Sequence, residues 1–235
     1  MNEAAPSGPG AKLWLTLAVR LTLFALIFLL PAGTWRWPEA WGVISLWAGF
    51  AIGSTVFLAR HDPELLAERA KASPTQEGQK AWDKVVMLGM FAAGIGLYVV
   101  PGLDVQRFGW SQPFPAPVEI AAMLLHLPGF ALMHWVTREN TFLSRVVKID
   151  EERGHAVITT GPYAVVRHPM YAGIILLVLA LPTALGSRFA LIPAAALIVL
   201  FILRTSLEDR TLQGELQGYP EYAEQTPYRL VPGIW

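Results

Sequence analysis

Five stretches of this chain run for close to a bilayer's thickness with little or no charge, and a sixth is only slightly shorter. Such spacing restricts the fold to helices that cross a membrane, because a hydrocarbon core about 30 Å thick is spanned by roughly 20 residues rising about 1.5 Å each. Ala40 to Ala59, Val85 to Leu103, Ile120 to Thr137 and Pro169 to Ser187 hold no Asp, Glu, Lys or Arg, and Leu13 to Leu30 is interrupted only by Arg20. Phe189 to Leu203 is the short one, set between Arg188 and Arg204, whose long side chains can snorkel to opposite interfaces. The expectation is an all-α polytopic membrane protein with six transmembrane helices. The first run reads as a helix rather than a signal peptide, since it continues to Leu30 with no small-residue cleavage pattern before Pro31. Arg20 is expected to turn into the bundle or snorkel.

Composition agrees with this. Of the 235 residues 54% are hydrophobic and 15% charged, with a mean hydropathy of +0.42. The 18 basic and 18 acidic residues cancel, so net charge points to no nucleic-acid partner. Their placement is far from even. With six spans, fourteen Lys and Arg fall on one side, in the amino end, the loops Arg60 to Lys84 and Arg138 to Arg167, and the tail from Arg204. Only Arg36, Arg107 and Arg188 fall on the other. The positive-inside rule then puts both termini in the cytoplasm. Cysteine is absent, which removes disulfides, thiolate nucleophiles and Cys-based metal sites.

Two regions are expected: residues 1–137 as a four-helix membrane region with an interfacial segment at 60–84, and residues 138–235 as a helical hairpin with a cytoplasmic loop and tail. The segment PELLAERAKASPTQEGQKAWDK opens on Pro63 and sets Leu65, Leu66 and Ala70 against charges, as a headgroup-level helix or a solvated linker would. FGWSQPFPAP, from Phe108 to Pro117, reads as an irregular outer cap. Gly49 and Gly53, and Gly94 and Gly96, are expected at close helix contacts.

Chemistry concentrates in two polar segments flanking the last helix pair. In ITTGPYAVVRHPMYAG, Gly161-Pro162 makes a turn, Pro169 suits the first turn of a helix, and Arg167, His168 and Tyr171 gather at its start. A helix amino terminus beside an arginine favours a carboxylate or phosphate. In RTSLEDRTLQGELQGYPEYAEQTPY, Arg204 and Glu208 share one helix face, with Asp209 adjacent. A turn of a few residues around Gly186 to Arg188 makes the two helices an antiparallel hairpin, which brings both segments to its open end. Taken singly, each residue suits an ordinary interface, where basic and aromatic side chains collect and Arg–Glu pairs are common. Together they offer a guanidinium for a carboxylate, Glu208 or Asp209 for ribose hydroxyls, and the rings of Tyr163 and Tyr171 for a cation and a base. S-adenosylmethionine presents that set; nucleotides and phospholipid headgroups present overlapping ones. Other motifs are missing: there is no HExxH, P-loop or GxSxG, and His126 and His134 have no nearby carboxylate, so helix packing is expected of them and no metal.

GPYAVVRHPMYAG followed by RTSLEDRTL and GYPEY resembles the isoprenylcysteine carboxyl methyltransferase family, related to phospholipid methyltransferases, from about Asn140 to the end. The resemblance implies a membrane-embedded methyltransferase with S-adenosylmethionine as cofactor at the cytoplasmic end of the hairpin and a lipid-like acceptor entering from the bilayer. It also implies that Tyr163, Arg167, His168, Pro169, Tyr171, Glu208 and Asp209 contact the cofactor and that Arg204 and Glu208 are the functional Arg-xxx-Glu pair. Asp209 stands where the family often has Glu. The same hairpin looks like that of certain sterol reductases that bind NADPH.

Prenylcysteine is the acceptor that the resemblance implies, and carboxyl O-methylation of a lipid-like or prenylcysteine-type acceptor is favoured; an ionised carboxylate needs no base, and Arg204 would orient it. Phospholipid N-methylation, thiol S-methylation, NADPH-dependent reduction and non-catalytic lipid binding are the alternatives.

Overall fold

The computed structural model describes residues 11–70, 79–142 and 156–235, and every regular element among them is helical. Such a chain leaves no alternative inside lipid, where each backbone N–H and C=O must be satisfied within its own segment. Among the described residues, five helices are long and apolar enough to cross a membrane: α1 (Ala11–Ala32), α2 (Pro38–His61), α4 (Ala81–Pro101, extended by a π-helical turn to Phe108), α5 (Ala116–Glu139) and α7 (Leu191–Glu215). Their outward faces carry exposed apolar side chains such as Leu15, Leu23, Leu30, Val85, Leu88 and Ile192. This is the surface an integral membrane protein presents to lipid tails.

The expected six crossings become five long helices and one short one. Helix α6 (Pro169–Ala184) has 16 residues, about 24 Å at the usual rise and so less than a full hydrocarbon core. Its partner α7 has 25 residues, because the apolar run expected to stop at Leu203 continues as helix through the polar residues to Glu215. The mismatch shapes the site. Antiparallel pairing leaves the last turns of α7 standing beyond the start of α6, and residues 156–168 and 216–235 fold around them.

The turn of the hairpin is held from outside. Gly186 has φ +74°, a left-handed conformation that L side chains rarely adopt. Next to it, fully buried Asp104 of the π-helical turn accepts from Ser187 Oγ at 2.7 Å, Ser111 N at 2.8 Å and Ser111 Oγ at 2.5 Å. Asp104→Ala strands the fully buried Ser187 hydroxyl, at a cost of about 1–3 kcal/mol for a buried unpaired donor, and loosens the part-buried Ser111. It is expected to lower the thermal unfolding temperature of the detergent-solubilised protein clearly; an unchanged temperature would show that the clamp contributes nothing.

Helix α5 packs along α6, α7 on α4, and α2 on α5. Helices α5 and α6 approach closely at Gly129 and Gly173, where a Cβ on Gly129 would lie 2.7 Å from Leu177 Cδ2 and one on Gly173 would lie 3.3 Å from the Gly129 carbonyl. The glycines expected at contacts behave otherwise. Gly49, Gly53 and Gly94 have nothing within 4 Å of a built Cβ, and of those four only Gly96 meets a neighbour, Pro193 of α7. Spacing identifies small residues but not the face that another helix covers. His126 packs as expected, fully buried with Nδ1 3.0 Å from the Ala122 carbonyl.

The inner segment yields one helix, α3 (Pro63–Ala70). Asp62 Oδ1 accepts from Leu65 N at 2.9 Å, an N-terminal cap that Pro63 reinforces in the first turn. Leu65 is fully buried. Of the expected interfacial segment 60–84, Arg60 and His61 end α2, 81–84 open α4, and 71–78 lie outside the described residues, as does 143–155 of the loop after α5. Of the outer cap expected from Phe108 to Pro117, residues 109–115 are irregular, while Phe108 closes the π-helical turn and Ala116 and Pro117 already open α5; Phe108 and Trp110 stack at 5.1 Å.

Candidate active site

Both polar segments start from local geometry that their sequence dictates. Gly161, at φ +60°, opens a 3-10 turn over Gly161–Ala164 that turns Tyr163 inward. Pro169 occupies the first position of α6, where its missing N–H costs nothing. The preceding N–H groups pair with the tail instead: Arg167 N donates to the Tyr228 carbonyl and His168 N to the Arg229 carbonyl, both at 2.9 Å. The expected anion-binding helix start is therefore partly occupied by the chain's own backbone.

A cavity of about 620 Å³ opens where these segments meet. Tyr163, Arg167, His168, Pro169, Tyr171, Arg204 and Glu208 all line it. Tyr171 O–H donates to Glu208 Oε2 at 2.5 Å. The ring of His168 lies parallel to that of Tyr171, 3° apart in plane and 5.9 Å between centroids. Arg204 completes the group, its guanidinium carbon 5.5 Å from the Tyr171 ring centroid. Residues 168 and 208 thus meet at one end of the hairpin.

Asp209 is the exception, standing behind the cavity wall with none of its surface exposed. Arg167 donates to it through Nε at 2.7 Å and Nη2 at 3.0 Å, the bidentate fork that suits a carboxylate. Tyr219 O–H, Gln213 Nε2 and Arg229 Nε add bonds of 2.9, 2.8 and 2.9 Å, and His168 Nε2 lies 3.3 Å away. With so many donors converging, Asp209 is placed to tie loop, α7 and tail together rather than to meet a ribose. Arg167 is committed in the same way, since its Nη1 donates to the Thr226 carbonyl at 2.7 Å. Burial opposes the charge on Arg167, and Asp209 more than compensates, so its pKa sits above the ordinary arginine value.

Several cavity residues carry no motif. Met87, Met90 and Phe91 of α4 form an apolar wall, and α3 contributes Arg69. Asn140 Nδ2 donates to the Tyr163 hydroxyl at 2.8 Å, and Tyr222 O–H donates to the Tyr163 carbonyl at 2.7 Å. Periodicity in α4 shows only a membrane helix. The one visible signal was a carboxylate, Asp83, beside the apolar run.

Burial raises the pKa of Tyr163, Tyr219 and Tyr222, and for Tyr219 the neighbouring Asp209 carboxylate adds to the effect. For an acid whose pKa is higher in the fold than in the unfolded chain, the stabilisation is complete below the unfolded value, about 10 for tyrosine, and is lost as pH rises above it. Alkaline titration is expected to show these phenols ionising together with unfolding, above the ordinary tyrosine range. In a Tyr228→Phe background, which removes the exposed phenol, tyrosinate absorbance rising near pH 10 with the fold intact would contradict this.

Residues 120–214 match the model of the isoprenylcysteine carboxyl methyltransferase (ICMT) family. The resemblance read from the motifs is borne out over that segment, which begins in α5 and stops short of the Gly-Tyr tail. The chain is also 27% identical over 136 residues to a Delta(14)-sterol reductase of Mus musculus, an alignment covering 53% of this chain and 32% of the relative. The match therefore spans about a third of that curated relative's length.

Proposed function

We propose that the cavity at the mouth of the α6–α7 hairpin is the active site of an integral membrane methyltransferase that uses S-adenosylmethionine and modifies a lipid-like acceptor, with carboxyl O-methylation favoured. The observation that carries this is the convergence of Arg204, Glu208, Tyr171 and His168 on one cavity, within the segment that matches a methyltransferase family.

The residues present fit the cofactor by volume and by chemistry. About 620 Å³ lies within the usual range for a small-molecule site. Glu208 accepts hydroxyls, Tyr163 and Tyr171 supply rings, and His168, Pro169 and Arg167 border the same space. S-adenosylmethionine, when bound, supplies an activated methyl group. Asp209 acts from behind by holding Arg167, His168 and Tyr219.

Arg204 orients an acceptor carboxylate, which is already ionised and needs no base. Tyr171 fixes the Glu208 carboxylate through its hydroxyl. The apolar wall from α4 excludes water, and holding the reactants in line contributes much of the acceleration. For an amine acceptor, Glu208 or a water would take the proton. In this reading residues 1–137 shape the acceptor side, residues 138–235 hold the cofactor, both termini lie in the cytoplasm and the site faces it.

A second reading, reduction with NADPH, is favoured by the similarity to the sterol reductase. One experiment separates the two. Radiolabelled methyl transfer from S-adenosylmethionine is measured against a panel of prenylcysteine, phospholipid and thiol acceptors, with calorimetric binding of S-adenosylhomocysteine and NADPH to the same purified protein. Methyl incorporation with S-adenosylhomocysteine binding is the expected result. NADPH binding without it overturns the proposal, and binding of neither leaves a non-catalytic lipid-binding protein.

A further inference from the structure

The arginine at the centre of the site is held by an acid that lies outside the segment matching the methyltransferase family. Asp83, in the first turn of α4, has none of its surface exposed. Its Oδ1 accepts from Arg204 Nε at 2.9 Å, and its Oδ2 accepts from Gln79 Nε2 at 2.9 Å. The Arg204 side chain is itself only 7% exposed. The guanidinium also stands over the ring of Tyr171, whose hydroxyl is bonded to Glu208.

The seam between α4 and α7 delivers this contact. Gly96 faces Pro193, where a Cβ would lie 3.1 Å from Pro193 Cβ, and Gly89 faces Leu200 at 3.4 Å. Two turns separate 96 from 89 and likewise 193 from 200, so the helices run antiparallel in fixed register with small residues letting them close. Further along the same seam Asp83, six residues before Gly89, meets Arg204, four residues after Leu200, and beyond them Lys80 Nζ meets Glu215 Oε2 at 2.7 Å. The neighbouring face of α4 carries Met87, Met90 and Phe91 into the cavity. One helix thus builds the apolar wall and fixes the charge beside it.

A buried ion pair is a poor source of stability, because desolvating both groups costs about as much as their attraction returns. What it does provide is a single orientation for a side chain that otherwise has many rotamers. We infer that Asp83 is a positioning residue for the methyl-transfer reaction, acting through Arg204: its carboxylate holds the guanidinium at Nε and so fixes the orientation in which Arg204 borders the cavity. This rests on the function proposed above.

The test uses the full chain in detergent and compares wild type, Asp83→Asn, Asp83→Glu, Arg204→Lys and the Asp83→Asn/Arg204→Lys double variant. Readouts are kcat and KM on the acceptor that the wild type methylates, S-adenosylhomocysteine affinity, and thermal unfolding. Asp83→Asn is expected to lower kcat about ten- to a hundredfold, the size of effect that small misplacement of a reacting group produces. S-adenosylhomocysteine affinity is expected to stay within about twofold. In the Arg204→Lys background the same change is expected to have little further effect on kcat, since its means of action is already lost.

A folded Asp83→Asn protein with wild-type kcat overturns the inference, and so does a loss repeated in full in the Arg204→Lys background. Should Asp83→Asn not fold, Asp83→Glu decides: a folded protein with reduced kcat supports positioning, wild-type kcat overturns it, and failure of both to fold makes Asp83 a stability residue instead. A wild type that transfers no methyl group to any acceptor defeats the functional reading itself, which these other outcomes leave standing.

Discussion

Turnover is expected to fall by at least about 10²–10³-fold when Arg204 or Glu208 is replaced, the loss typical of removing one preorganised polar group from an active site. The variants have to respect the partners that the structure reveals. Arg204→Ala would leave the Asp83 carboxylate buried without the guanidinium it pairs with at 2.9 Å, and breaking a buried pair from one side costs about 3–5 kcal/mol. Arg204→Lys is the cleaner change. It keeps a positive charge near Asp83 and loses the planar fork, so a folded protein with strongly reduced turnover is expected. Glu208→Gln keeps the shape beside the Tyr171 hydroxyl while removing the charge. Methyl transfer measured alongside thermal unfolding separates the two effects. Substantial activity in folded Arg204→Lys and Glu208→Gln proteins would remove both residues from the site.

Asp209→Asn is expected to damage stability and binding together. Its carboxylate pairs with Arg167 on one side and Arg229 on the other and accepts from Tyr219 and Gln213. An amide cannot neutralise two guanidinium groups, and half of its hydrogen-bonding atoms would be donors facing donors. A loss of about 3–5 kcal/mol is expected from the broken buried pair alone. Because Asp209 ties the 156–168 loop and the tail to α7, S-adenosylhomocysteine affinity should fall as well, although Asp209 itself does not line the cavity. Asp209→Glu keeps the charge and should recover much of both. Calorimetry and thermal unfolding on the two variants check this; an Asp209→Asn protein as stable and as tightly binding as wild type would show that the hub holds nothing.

Much of the site was legible because its residues are close in sequence. Arg167, His168, Pro169 and Tyr171 occupy one helix start, Arg204 and Glu208 one helix face, and a short turn obliges the two to meet. The carboxylates were harder to assign. Glu208 and Asp209 are adjacent, and adjacent residues on a helix point about 100° apart, so one faces the cavity and the other the arginines behind it. Nothing local to that dipeptide says which. The missed residues, Asp83, Asn140, Arg69 and the α4 wall, belong to elements without a motif, and only packing brings them in. The crossing count shows the same limit: an apolar run marks where a helix lies in the membrane, while the helix itself ends where capping and tertiary contacts stop it, as α7 does twelve residues beyond the apolar boundary at Leu203.

Hydropathy adds up over neighbouring residues, so the sequence by itself determined that this is an all-helical membrane protein whose polar chemistry gathers at one end of its last hairpin. Tertiary structure alone decided which acid holds which arginine. Asp83 and Arg204 stand 121 positions apart, and their pairing depends on the register of α4 against α7, which is set by the fit of small residues along a seam and by no pattern within either helix.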